Sequence, residues 1–179
     1  LVVEESDRLV AIINSLLEIA EADAGVVQLI MTDVDIGLMA QDACDLFRPV
    51  AEDKGIPLDM RAPLATVTVK GDKGRLQRVL ANLIDNALKY TPPGGQVHLS
   101  VEKGTSEVKL FVRDSGSGID GQDLPHIFDR FYRGDRSRST CGNGLGLSLA
   151  FAFVKAHRGR IEVESFPDKG STFRIVLPA

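Results

Sequence analysis

Asn82-Leu83-Ile84-Asp85-Asn86-Ala87-Leu88-Lys89-Tyr90 is the stretch on which the fold of this chain turns. At about 100° per residue, Arg75, Asn82, Asn86 and Lys89 fall in one helical stripe. Leu76, Leu80, Leu83 and Ala87 fall nearly opposite. One face is built for burial, and the other presents polar groups. Asparagine is a poor helix former, and a merely solvated face more often carries Glu or Lys. Two asparagines one turn apart therefore point to a ligand. Amide oxygens are hard donors suited to Mg2+, which keeps phosphate oxygens and water around it. Lys89 adds a point charge for a phosphate.

Two glycine-rich runs follow, Asp114-Ser115-Gly116-Ser117-Gly118-Ile119 and Gly142-Asn143-Gly144-Leu145-Gly146-Leu147. Glycine lets backbone N–H groups close on phosphates and on a base. Asp114 ends a predicted strand, where a buried carboxylate can accept the exocyclic amine of adenine, and Ile119 can cover an aromatic face. Gly142, Gly144 and Gly146 lead into a helix, whose N-terminal amides make an anion site. The second run is neither a Walker loop, since no Gly-Lys-Ser/Thr follows, nor a dinucleotide fingerprint, since no strand and no suitable ribose carboxylate frame it. Between the runs lies Phe128-Asp129-Arg130-Phe131-Tyr132-Arg133, followed by Arg136 and Arg138. This stretch reads either as an ordinary surface loop or as a mobile lid, whose aromatic residues would anchor it and one of whose arginines would meet a terminal phosphate. Together these groups describe a pocket for a nucleoside triphosphate and its metal.

Outward from this core, the pattern predicts a strand at Val26–Ile30 and a helix from about Asp35 to Asp53. That helix carries Leu38, Ala43, Leu46, Phe47 and Val50 as its apolar residues and a possible kink at Pro49. Strands are expected at Pro57–Arg61 and Thr66–Lys70, and the central helix at Gly74–Tyr90, stopped by Pro92-Pro93-Gly94-Gly95. Val97–Glu102 and Val108–Arg113 alternate as a hairpin. A short helix near Gln122–Phe128, a helix at Leu145–His157, and strands at Arg160–Ser165 and Thr172–Leu177 complete the pattern. Clustered antiparallel strands with helices predict an α+β fold: a two-layer α/β sandwich, its mixed sheet covered on one face by helices.

Residues 1–24 read as one long helix with Val2, Leu9 and Leu16 at one heptad position and Ile12 and Ile19 at another, widened by Ile13 and Leu17. A lone helix cannot bury this stripe. Folding back on the following domain is one solution; a dimeric helical bundle is the expectation here. The segment carries six acids against Arg8, a net of −5 within an overall −4, so the remainder stands at +1. That balance argues against nucleic-acid binding. The chain has 179 residues, 44% of them hydrophobic, enough for a core without staples. No run approaches the roughly 20 apolar residues of a membrane span. Cys44 and Cys141 match no metal spacing, and a reduced compartment is expected. Because the chain opens with Leu1 inside a helical pattern, it is expected to be a piece of a longer protein.

These motifs, in this order and over about two thirds of the chain, resemble those of bacterial sensor histidine kinases. Asp72–Thr91 resembles the N box and Asp114–Ile119 the first glycine box. Phe128–Tyr132 is similar to the F box, Gly142–Leu147 to the second glycine box, and Gly170-Ser171-Thr172 to a small box beside the base. The resemblance implies the Bergerat ATP-binding sandwich shared with gyrase, mismatch-repair ATPases and an ATP-driven chaperone. It implies ATP and Mg2+, with Asn86 and Asn82 on the metal and Lys89 and Arg130 on phosphates. Asp114 would read adenine, with Tyr90, Ile119, Phe131 and Thr172 around the nucleotide. Gly116 and Gly118 would shape the first turn. Gly142, Gly144, Leu145, Gly146 and Leu147 would form the hinge and phosphate cradle.

Residues 1–24 resemble the second helix of a dimerisation and phosphotransfer hairpin, leaving 25–179 as the catalytic domain. The implied activity is transfer of the γ-phosphate from Mg-ATP to a histidine on a dimerisation helix, for relay to a response regulator receiver domain. Homodimerisation through the bundle helix, and a cytoplasmic position in a membrane-anchored sensor, are further expectations. His98, His126 and His157 do not stand where the family's phosphoacceptor would. ATPase relatives place a water-activating carboxylate one turn before the magnesium asparagine; here Asn82 stands there, and an amide is no general base. Asp85 lies about 60° off the stripe and is discounted. The alternatives are an anti-sigma-type serine kinase or ATPase on the same fold, and a non-enzymatic nucleotide-binding, dimerising module.

Overall fold

The computed structural model describes residues 2–134 and 143–179. Gly142, Arg136, Arg138 and Cys141 lie outside the described residues. Helix α1 spans Val2–Asp23, strand β1 Thr32–Asp35 and helix α2 Ile36–Asp53. Strands β2 (Leu58–Arg61) and β3 (Thr68–Gly71) precede helix α3 (Lys73–Tyr90). The hairpin β4 (Val97–Lys103) and β5 (Glu107–Asp114) follows, then helix α4 (Gly146–Ala156) and strands β6 (Arg160–Ser165) and β7 (Ser171–Pro178). The main sheet runs β2-β4-β5-β7-β6, parallel only between β2 and β4, while β1 and β3 form a separate antiparallel pair. This is the predicted α+β sandwich.

Strand alternation sorts the two faces. Val97, Leu99 and Val101 on β4, Val108, Leu110 and Val112 on β5, and Phe173, Ile175 and Leu177 on β7 are buried. They meet Leu76, Leu80, Leu83 and Ile84 of α3 and Leu149, Phe153 and Val154 of α4 in one core. The opposite face carries polar residues, including His98 paired with Asp59 and Arg174 paired with Glu162 at 2.5 Å. Both α2 and α3 start on an aspartate cap. Asp35 accepts from the Leu38 amide and Asp72 from the Arg75 amide, each at 3.1 Å.

Several local expectations change. Val26–Ile30 is not a strand: it has no strand partner among the described residues, and Val26 and Ile30 are exposed. The Ile30 amide donates to Asp72 Oδ2 at 3.0 Å. On α2 the buried face is Ile36, Met39, Ala40, Ala43, Cys44 and Ala51, with Phe47 partly buried, whereas Leu38, Leu46 and Val50 face outward. The helix runs through Pro49 and ends at Asp53. The short helix near Gln122–Phe128 shrinks to one 3-10 turn, Leu124–His126, with Pro125 inside it.

Helix α1 does fold back. Ile19 is buried, and Ile12, Leu16 and Ala22 pack against the core beside α4, while Leu9, Val10, Ile13 and Leu17 remain exposed. The apolar stripe is wide enough to be split between two surfaces.

Candidate functional site

A cleft of about 270 Å3 opens between the second half of α3, the turn after β5 and the start of α4, close to the lower end of the ~300–1,000 Å3 typical of small-molecule sites. Helix α3 brings Asn82, Asn86, Lys89 and Tyr90 to its wall. The buried face of that helix sets this orientation, since Leu76, Leu80, Leu83 and Ala87 are locked in the core. The first glycine run contributes Asp114, Gly118 and Ile119, and the second contributes Gly144, Gly146 and Leu147.

Asp114 is 7% exposed, and its Oδ1 accepts the amides of Gly116 at 2.8 Å and Ser171 at 3.2 Å. Oδ2 takes neither amide, and Asp114 lines the cleft. Burial pushes the Asp114 carboxyl above the ordinary range, only partly opposed by those donors. A second layer holds the turn: Ser165 Oγ accepts the Ile119 amide at 2.8 Å and lies 2.9 Å from Ser171 Oγ. The Ser117 amide donates to the Tyr90 carbonyl at 3.1 Å, tying the turn to the end of α3.

Gly118 has φ +65°, and a Cβ there would run into the Phe166 carbonyl. At Gly144, φ is +70°, and a Cβ would stand 2.8 Å from the Phe131 carbonyl carbon. These are positions where only glycine fits without backbone movement. Among the described residues no side chain caps the N-terminus of α4, whose first residues, Gly146 and Leu147, line the cleft. A Cβ on Gly146 would meet Asn82 Oδ1 at 3.4 Å, so the asparagine and the helix start face each other.

Residues 71–179 match the family model described as histidine kinase-, DNA gyrase B- and HSP90-like ATPase. The chain belongs to this ATPase family. Among relatives of known name, it is 38% identical to the signal transduction histidine-protein kinase AfsQ2 of Streptomyces coelicolor, over 99% of this chain and 32% of that protein. It is 36% identical to the sensor-like histidine kinase SenX3 of Mycobacterium tuberculosis, over 98% of this chain and 43% of the relative. The structure of full-length ShkA in complex with AMPPNP superposes with a TM-score of 0.85 at 30% identity, covering 98% of this chain and 36% of that one. The chain thus spans about a third to two fifths of the length of these relatives.

Within this ATPase-family cleft, ten of the expected site residues line the wall: Asn82, Asn86, Lys89, Tyr90, Asp114, Gly118, Ile119, Gly144, Gly146 and Leu147. Five do not. Gly116 packs under the wall, where a Cβ would strike the Tyr90 carbonyl. Leu145 is buried in the core, and Phe131 is 55% exposed outside the cleft. Thr172 is displaced by strand alternation, which turns Ser171 and Phe173 inward instead. Arg130 points the other way and pairs with Asp23 of α1. Arg133, three residues on, lines the cleft in its stead, with Tyr132 and Asp123. Asp85 also reaches the wall. Arg75, on the expected polar stripe, lies instead over the Phe153 ring at 4.8 Å. Ser171 and Phe173 were within reach of sequence reasoning, since the same alternation that buries Ile175 and Leu177 places them inward.

No group of three or more His, Cys, Asp or Glu among the described residues is arranged to hold a metal ion. A cation here would take amide oxygens, phosphate oxygens and water, a donor set that fits Mg2+. Cys44 is buried, and desolvation pushes its thiol up to about 11, which makes it inert. Among the described residues no helix is long and apolar enough to cross a membrane.

Proposed function

We propose that this chain is the ATP-binding catalytic region of a sensor histidine kinase, which binds Mg-ATP and presents its γ-phosphate to a histidine of the parent protein. The observation that carries the reading is the meeting of Asn82, Asn86 and Lys89 with the Asp114 carboxylate and two glycine turns around one cleft. In this reading Asp114 accepts the adenine amine through Oδ2, with Tyr90, Ile119 and Phe173 around the base. Lys89 and the α4 N-terminus hold phosphates, and Arg133 takes the role first expected of Arg130. Asn86 and Asn82 offer their amide oxygens to Mg2+, which when bound neutralises phosphate charge. Phosphoryl transfer depends mainly on positioning and charge, so no general base is required of the chain. Asn82 in place of a carboxylate keeps water from being activated, favouring transfer over hydrolysis.

Residues 1–24 form, on this view, part of a dimerisation and phosphotransfer hairpin, and 25–179 the catalytic domain. The exposed Leu9, Ile13 and Leu17 support a homodimer contact in the parent. A response regulator receiver domain would take the phosphate in turn, and this portion would lie on the cytoplasmic side of a membrane-anchored sensor. Incubation with γ-labelled ATP, with and without a separately supplied phosphoacceptor hairpin, tests the reading. A kinase labels the hairpin; release of free phosphate alone would identify an ATPase, and neither outcome a binding module.

A further inference from the structure

Helix α1 ends on Glu21, Ala22 and Asp23, with no basic residue in its last turn. Acids at a helix C-terminus oppose the macrodipole and call for a partner outside the helix. For Asp23 that partner is Arg130, 107 residues away, whose Nη2 donates to Asp23 Oδ2. The pair stands beside a hollow lined by Ile19, Phe128, Ser148 and Phe151, none of which lines the cleft.

The residue after Arg130 is Phe131, whose φ of +62° is rare for a bulky side chain. Its amide donates to the Gly144 carbonyl at 3.0 Å, joining this segment to the second glycine run. Tyr132 then enters the cleft, its hydroxyl donating to Asp123 Oδ1 at 2.8 Å, and Arg133 follows. Within four residues the chain thus passes from α1 to the cleft, and the reversal is made at Phe131. Phe128 anchors the near end on α4, its ring 5.1 Å from Phe151.

We infer that Asp23 is a positioning residue for the nucleotide site: by holding Arg130 against α1 it fixes the reversal at Phe131, and so the presentation of Tyr132 and Arg133 to the cleft. The inference rests on the nucleotide reading of that cleft. It makes the Asp23 end of α1 and the site reciprocally coupled, because a change that parts Asp23 from Arg130 loosens Arg133, and a ligand that orders Arg133 favours the Asp23–Arg130 pair. A neighbouring tie supplies the control. Glu18 pairs with Arg78 of α3 at 2.5 Å and docks the same helix without touching residues 128–134.

The test uses the whole chain with Asp23→Asn, Glu18→Gln and the exchanged pair Asp23→Arg/Arg130→Asp. Hydrogen exchange at the Phe131 amide without nucleotide, and the dissociation rate of Mg-AMPPNP, are the two readouts. The side chains of Arg130 and Asp23 are 42% and 55% exposed, so Asp23→Asn should speed both by about two- to fivefold, as for an exposed ion pair. The exchanged pair should restore both, and Glu18→Gln should move neither. Unchanged Phe131 exchange in Asp23→Asn, an equal effect of Glu18→Gln, or failure of the exchanged pair to restore would overturn the inference. A wild-type chain that does not bind Mg-AMPPNP would instead overturn the nucleotide reading, with the exchange data still deciding the role of Asp23.

Discussion

The backbone amide of Asp72 donates to Nε2 of His157 at 2.9 Å, across 85 residues of chain and inside the core. Nδ1 of the same ring donates to the Phe153 carbonyl at 2.7 Å, which fixes a neutral tautomer with its proton on Nδ1. Because Asp72 caps α3 and His157 closes α4, this ring ties together the two helices that wall the cleft. Each oxygen of the Asp72 carboxylate in turn accepts an amide, Oδ2 that of Ile30 and Oδ1 that of Arg75.

His157→Phe should therefore lower stability by about 1–3 kcal/mol, the cost of leaving a buried amide unpaired. Thermal melting of the purified variant checks this. A change within a few tenths of a kcal/mol would mean that the ring only fills space.

Asp72 and Asp114 should respond oppositely to acid. For Asp72, burial acts upward, but the Ile30 and Arg75 amides together with nearby positive charge, chiefly the Arg75 guanidinium, hold the carboxyl below the usual range. Its stabilisation is present above the ordinary carboxylate pKa and is lost as pH falls through the lowered value. Asp114 is raised by burial, so the native state takes its proton first and its contribution to stability improves on acidification. Adenine affinity should fall over the same interval as the acceptor loses its charge. Calorimetric titration with Mg-AMPPNP across pH should show an affinity limb above the ordinary Asp range that is missing in Asp114→Asn.

Gly118→Ala should be severely disruptive, because φ is +65° and the new methyl would overlap the Phe166 carbonyl. We expect a loss of about 2 kcal/mol or more in stability and no measurable nucleotide binding. Gly121→Ala is the matched control, with nothing within 4 Å of the added atom. Equal melting temperatures for the two variants would show that the turn yields.

Asn86→Asp adds a negative charge where an amide oxygen is proposed to meet Mg2+ and phosphates. Productive Mg-ATP binding should weaken at least about tenfold, or about 1.4 kcal/mol. Normal affinity together with full transfer to a supplied histidine segment would refute the assignment.

Arg133→Ala should cost transfer to the supplied hairpin about tenfold or more, in line with loss of a charge-assisted contact to a phosphate. Arg130→Ala should cost no more than a surface ion pair does, since its guanidinium is engaged with Asp23. Reversal of that order would restore the original assignment of Arg130.

What the sequence determined by itself was whatever depends on local chemistry and period. The α3 stripe, the strand alternation of β4, β5 and β7, and the glycine turns follow from 3.6- and 2-residue repeats and from the absence of a Cβ, so they were legible before any contact was known. Asn82, Asn86 and Lys89 share one cleft because the face of α3 opposite them is apolar and has only one place to go, and Asp114 meets them at the end of the buried face of β5. Tertiary structure alone decided where irregular chain points. Arg130 and Arg133 are chemically alike and three residues apart, and no period governs a turn made by a left-handed Phe131. Which arginine faced the cleft was settled by Asp23 from the distant first helix, and whether that helix docked at all depended on a surface of α4 that exists only once the domain has folded.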